Sequence, residues 1–304
     1  MQRRRLGHAG PVSSCLGLGS MALTGAYGHV DPGAAAIIGQ AVDAGITMLD
    51  LSDLRAGSEM EAMVGKVLDG RREGVLLATC QGTDPWTAGG PGRLGRSCDA
   101  TLARLGVDHI DLYYLHAGPG VPIESHMAEL AELVGAGKIR HIGLHGGTPQ
   151  QLRRAHAVHP VAALSTEYSL WQPGAEKEHL PVARELGVGI VARAPLGRGF
   201  LGGRIRSRAQ LDTLDLRRAD PRFSAGNLRR SMRMLREAEA TAADMDIGMS
   251  RLALAWLLSR GEDIVAAPST GDPIHLEMNI AAVEVSLTAE TREHLARIFS
   301  PDRI

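Results

Sequence analysis

Six side chains able to do chemistry, Asp50, Arg55, Cys80, His116, His145 and Arg193, stand at or just past the C-terminal ends of short apolar runs. Histidines carry protons near neutral pH, and arginines hold carboxylates or phosphates through planar forks. The set suits acid–base work on a small anionic or polar molecule. His116 or His145 would shuttle the proton, Asp50 would orient or share it, and Arg55 and Arg193 would stabilise developing negative charge. Aromatic residues make up only 3% of the chain, leaving Tyr27, Trp86 and Trp171 as rings for pocket walls. Plainer roles are available to each. His116 can be structural, His145 can face solvent, and Arg55 can simply pair with Asp50. Cys80 can be a buried filler rather than a substrate contact, since nothing in the sequence marks its thiol as activated.

Bringing these residues together requires strands that end where they begin. Eight runs read as strands: 13–17, 47–51, 75–79, 110–115, 139–144, 162–167, 189–192 and 264–267, with helical patterns between them. Asp31-Pro32 offers a helix N-cap with proline behind it, Thr148-Pro-Gln-Gln151 a capping box, and Gly45 and Gly187 helix ends. Parallel strands alternating with helices close most simply as a single-domain (β/α)8 TIM barrel over residues 1–304. A doubly wound open sheet is the weaker alternative, because Gly17-Leu-Gly19 lacks the third glycine of a dinucleotide-binding turn. Residues 198–230 interrupt the alternation after the seventh strand with a long, arginine-rich segment, expected as a solvated face or a lid.

Composition excludes several classes. Hydrophobic residues are 44%, charged residues 22% and the formal net charge is −1, so neither nucleic acid nor an anionic membrane is an expected partner. The arginines after Met1 have no apolar stretch behind them, and a cytoplasmic location is expected. Cys15, Cys80 and Cys98 have no metal-ligand spacing, so reduced thiols and no metal are expected.

The motifs Leu16-Gly-Leu-Gly-Ser-Met-Ala-Leu-Thr-Gly-Ala-Tyr-Gly28, Asp111-Leu-Tyr-Tyr-Leu-His116, Gly137-Lys-Ile-Arg-His-Ile-Gly143, Glu167-Tyr-Ser-Leu-Trp171, Ala194-Pro-Leu-Gly-Arg-Gly-Phe-Leu201 and His275-Leu-Glu-Met-Asn279 occur in an order that resembles the aldo-keto reductases. The resemblance covers nearly the whole chain. It implies a barrel in which an aspartate, tyrosine, lysine and histidine serve NADPH-dependent carbonyl reduction. Asp50 and His116 match the aspartate and histidine, whereas Arg55 stands at the tyrosine position and Cys80 at the lysine position. The resemblance also implies nicotinamide anchors, and their positions here hold His145-Gly146, Ser165 and Arg193. Asp272 falls where NADP-dependent members carry basic residues, while Leu196, Gly197, Ser269, Thr270, Glu277 and Asn279 match other cofactor-side positions.

The altered positions all concern one object, the bound nicotinamide. The sequence therefore predicts a barrel enzyme without a cofactor that has lost hydride transfer and performs elimination, dehydration, isomerisation or cyclisation on a small anionic metabolite. One alternative is an NADH- or NADPH-dependent reductase with an unorthodox proton donor such as His116 or water, NADH being favoured because Asp272 disfavours NADP. Another is a non-catalytic barrel that binds a small molecule or partner. A monomer or small homo-oligomer is expected.

Overall fold

A computed structural model describes residues 1–28, 33–53, 59–80, 92–118 and 120–303. Strands β1 (Arg3–Arg5) and β2 (Val12–Ser14) form an antiparallel hairpin. Strands β3 (Leu18–Gly19), β4 (Met48–Asp50), β5 (Leu76–Cys80), β6 (Ile110–His116), β7 (Ile139–His145), β8 (Val161–Glu167), β9 (Gly189–Arg193) and β10 (Ile264–Ala267) form one parallel sheet in sequential order. Leu16 bridges Ala266, with Ala266 N–H donating to Cys15 O at 3.0 Å and Gly17 N–H to Ala266 O at 2.8 Å. These bonds bring the two edges of the sheet together into a nearly closed (β/α)8 barrel, a single domain.

The first expected strand, 13–17, is divided. Ser13 and Ser14 belong to the hairpin, and the barrel strand begins at Leu18. Pairing with Arg3–Arg5 uses one edge of residues 12–14, and Ser14 meets Thr47 through side-chain bonds, its N–H donating to Thr47 Oγ1 at 2.7 Å. Helix signals in the sequence act as their chemistry dictates. Thr148 and Gln151 form a reciprocal capping box before the helix Pro149–Val158, and Gly187, at φ 66°, ends the helix Leu180–Leu186. Asp31-Pro32 lies outside the described residues.

Side chains alternate across a strand with a period of two. Met48, Leu76, Ala78, Cys80, Leu112, Tyr114, Ala163, Val191, Val265 and Ala267 fill the barrel interior, while Leu49, Leu77, Tyr113, Leu115, Ile142, Ile190 and Ala266 face the helices. Continued by two residues, the inward parity of β4, β6, β7 and β9 delivers Asp50, His116, His145 and Arg193 to the same end of the barrel. A one-residue slip would send all of them into the helical layer. The opposite end is closed by the hairpin. Leu6 enters the interior, and Arg4 donates to the carbonyls of Leu258, Gly261 and Ile264 at 2.9, 2.8 and 2.6 Å. No helix among the described residues is long and apolar enough to cross a membrane.

Candidate active site

A cavity of about 600 Å³ opens at the C-terminal end of the strands. Asp50, Asp53 and Arg193 form one part of its wall, Tyr27, Leu196, Arg198 and Arg217 another, and Pro268–Asp272 with His275 and Asn279 a third. Its volume lies within the roughly 300–1,000 Å³ usual for small-molecule and cofactor sites.

Asp50 is almost completely buried. Its Oδ1 accepts the Ser52 backbone N–H at 3.0 Å, and Oδ2 accepts no hydrogen bond among the described residues. Burial pushes its carboxyl up to about 6, opposed by the Ser52 hydroxyl and, more weakly, by Arg193. Asp53 is also raised, first by burial, with Arg193 and Arg198 opposing. Arg193 lines the cavity beside both, enters no ion pair among the described residues, and keeps a buried Nε without a partner.

The two histidines lie side by side. Their rings stack at 5.4 Å, and Tyr114 meets His145 edge-on at 6.1 Å. Burial and the Arg193 charge hold His116 below the ordinary imidazole range and His145 well below it, so both are neutral at pH 7. Neither ring lines the cavity. Cys80, inside the barrel, is pushed up to about 12 by burial and by Asp50, and remains a thiol.

The segment 194–223 forms the outer wall. Trp171 anchors it, stacking on Phe200 at 4.1 Å and meeting Phe223 at 5.5 Å. Gly197, at φ 58°, lies so near this ring that a Cβ would sit 2.8 Å from Trp171 Cε3. Ala194 and Arg198 also take positive φ, at 45° and 55°, conformations that cost non-glycine residues about 1–3 kcal/mol each. The arginines are organised by carboxylates. Arg222 pairs with Glu167 and Asp220 at 2.6 Å each, and Arg217 pairs with Asp215 at 2.6 Å. Arg217 also covers the Tyr27 ring at 4.1 Å, and Leu216 N–H donates to Ala26 O at 3.0 Å, so this segment is joined to the loop after β3. Burial raises the Tyr27 hydroxyl to about 12.

Of the residues singled out from sequence, Asp50, Tyr27, Arg193, Leu196, Ser269, Thr270 and Asn279 line the cavity. His116, His145, Cys80, Gly197 and Glu277 do not, and Arg55 and Trp86 lie outside the described residues. Trp171 is a buried anchor rather than a pocket wall. Asp272 is no bare charge. Its Oδ1 caps the helix Pro273–Ala281, accepting Ile274 N–H at 2.8 Å, and its Oδ2 lies 3.6 Å from His275 Nδ1 and 3.9 Å from Arg204. Sequence reasoning passed over Asp53, Arg198 and Glu167. Asp53 had a signal, following Asp50 by three residues.

A model of the Aldo/keto reductase family matches residues 15–298. "Probable aldo-keto reductase 1" from Glycine max is 40% identical over 298 residues, 95% of this chain and 86% of that protein. The glycerol dehydrogenase of Gluconobacter oxydans superposes with a TM-score of 0.86 at 25% identity, covering 98% of this chain and 95% of that one. An aldo/keto reductase from Klebsiella pneumoniae, crystallised with NADP and acetate, superposes with a TM-score of 0.77 at 25% identity over 98% and 95% of the two chains. These likenesses overturn two expectations. Loss of hydride transfer in favour of redox-neutral lyase or isomerase chemistry is contradicted by a reductase family that spans the chain. The absence of a cofactor is contradicted by a structural relative that holds NADP. Both expectations took exchanged anchor residues for a lost groove, whereas the cavity persists with four of the retained cofactor-side positions on its wall.

Proposed function

Because the chain belongs to the aldo/keto reductase family, we propose that it is a nicotinamide-dependent reductase of small carbonyl compounds carrying an anionic or polar group. Its proton comes from a source other than a tyrosine at position 55. The observation that carries this reading is the cavity itself, which runs past the strand-end carboxyls and is lined by Leu196, Ser269, Thr270 and Asn279.

The residues present fit a dinucleotide. The wall offers the backbone of Pro268–Asp272, a glycine-containing turn at Leu196–Gly199, and Arg198 and Arg204 as cations for phosphate oxygens. When bound, the dihydronicotinamide supplies a hydride to the carbonyl carbon. The chain's own residues then have three tasks. Arg193, which enters no ion pair among the described residues, holds the substrate's anionic or polar group. Segment 194–223 excludes water, so that charges inside interact more strongly. The strand-end cluster handles the proton. His116 and His145, as neutral rings off the cavity wall, add no positive charge to it.

Titration with NADPH and NADH, read by protein and nicotinamide fluorescence, tests the assignment together with turnover of 4-carboxybenzaldehyde. Saturable binding of at least one cofactor is expected, with oxidation of the cofactor on adding the aldehyde. A chain that binds neither is not a reductase.

A further inference from the structure

We propose that Asp50 is the proton donor of this reductase, its carboxylic acid delivering a proton from Oδ2 to the carbonyl oxygen while Arg193 holds the substrate beside it. This inference rests on the reductase reading and goes beyond it in naming the donor.

The geometry favours Asp50 over every other acidic side chain on the described cavity wall. Glu167 is held by Arg222 at 2.6 Å, with Arg198 at 3.4 Å. Asp272 is spent on the helix N-terminus and on Arg204 and His275. Tyr27 lies under Arg217, which covers its ring. Asp53 shares Arg193 with Asp50 and adds a second negative charge that keeps a proton on the pair. Asp50 ends a barrel strand, is fixed through one oxygen by the Ser52 N–H, and leaves its other oxygen unbonded among the described residues.

Burial and the Asp53 charge favour a held proton and outweigh the Ser52 hydrogen bonds and the Arg193 charge, which favour the carboxylate. Ser52 and Asp53 approach from its own strand end, Cys80 from β5, Tyr114 from β6 and Arg193 from β9. Cys80 and Tyr114 are neutral, both raised by burial and by the Asp50 charge. Cys80 brings a thiol where a lysine would bring a cation. Without that cation the buried carboxyl holds its proton to about pH 6, close to the working range a general acid needs.

The step balances. The carbonyl carbon accepts a hydride, with its two electrons, from the bound dihydronicotinamide, which is left oxidised. The carbon–oxygen π pair moves onto oxygen, a new O–H bond forms as the Asp50 Oδ2–H bond breaks, and the alcohol leaves. Asp50 remains as carboxylate near Arg193 and is reprotonated from solvent.

Infrared titration of the cofactor-free protein between pH 4 and pH 8 tests this without turnover. A protonated-carboxyl band titrating near pH 6 is expected in the wild type, lost in Asp50→Asn and kept, with a lower midpoint, in Asp53→Asn. In parallel, kcat/KM for 4-carboxybenzaldehyde should fall about tenfold per pH unit above the midpoint. Asp50→Asn should lose roughly 100-fold to 10,000-fold in kcat while its nicotinamide quenching curve stays within about threefold of wild type. The assignment of the donor is overturned by a wild-type carboxyl ionised across the whole range, or by Asp50→Asn retaining the rate and pH profile. Failure of nicotinamide to bind the wild type would instead overturn the reductase reading.

Discussion

At Asp50 the chain keeps a carboxyl in a barrel lined by Met48, Ala78 and Cys80, and burial moves its pKa from 3.8 to about 6. The folded state therefore holds this proton to higher pH than the unfolded state. The associated stability is fully present below about pH 4 and is lost as pH rises through about 6. From the size of that shift, the stability advantage of Asp50→Asn over wild type should widen by about 2 kcal/mol between pH 4 and pH 8. Urea unfolding at the two pH values measures it, and a constant gap would mean a carboxyl as ionised in the fold as out of it. Arg193 makes a second residue-scale prediction. Arg193→Met should raise KM for 4-carboxybenzaldehyde more than about tenfold, the value of a charge-assisted bond, and leave that for benzaldehyde within about threefold. Equal losses on both would remove Arg193 from anion recognition. Their places at the ends of apolar runs made Asp50, His116, His145 and Arg193 legible in the sequence as one group. Which of them reaches open space was not legible, because that depends on how segment 194–223 and the loop after β10 lie over the strand ends.

Among the elements, that segment is where reading by composition stopped short. Its arginines invite a solvated surface, but Arg217 and Arg222 have carboxylate partners, two of which, Asp215 and Asp220, lie within the segment itself. Glu167, the third, ends β8, a distance along the chain that no local pattern reveals. Gly197 ties the segment to the core by allowing Trp171 to approach where a methyl group would collide. Gly197→Ala should cost about 2 kcal/mol, from the positive φ and the contact together. It should also weaken nicotinamide binding severalfold by displacing Leu196 and Arg198. Thermal unfolding and fluorescence titration check the two effects, and an unchanged melting temperature would show that Trp171 is not the anchor.

For the molecule as a whole, eight apolar runs and their helix signals were enough to expect a closed barrel. The hairpin beneath it was not foreseen, because Arg3-Arg-Arg5 is too polar and short to read as a strand. Its effect is on the floor. Arg4 satisfies three carbonyls near the start of β10, so Arg4→Met should destabilise the fold by about 3 kcal/mol through buried acceptors left without donors. Urea unfolding should show this, accompanied by faster proteolysis at the hairpin, and a change below about 1 kcal/mol would mean that water replaces the guanidinium.

Arg4 and its acceptors are separated by 254 to 260 positions in the chain. On the ribosome the hairpin is made long before the segment that receives it, and Leu6 has no barrel to enter until the last strand has emerged. Biosynthesis thus leaves the hairpin waiting for β10. A chain stalled before residue 264 presents an open sheet with two unpaired edges and an apolar interior, the form in which chaperones and proteases would meet it.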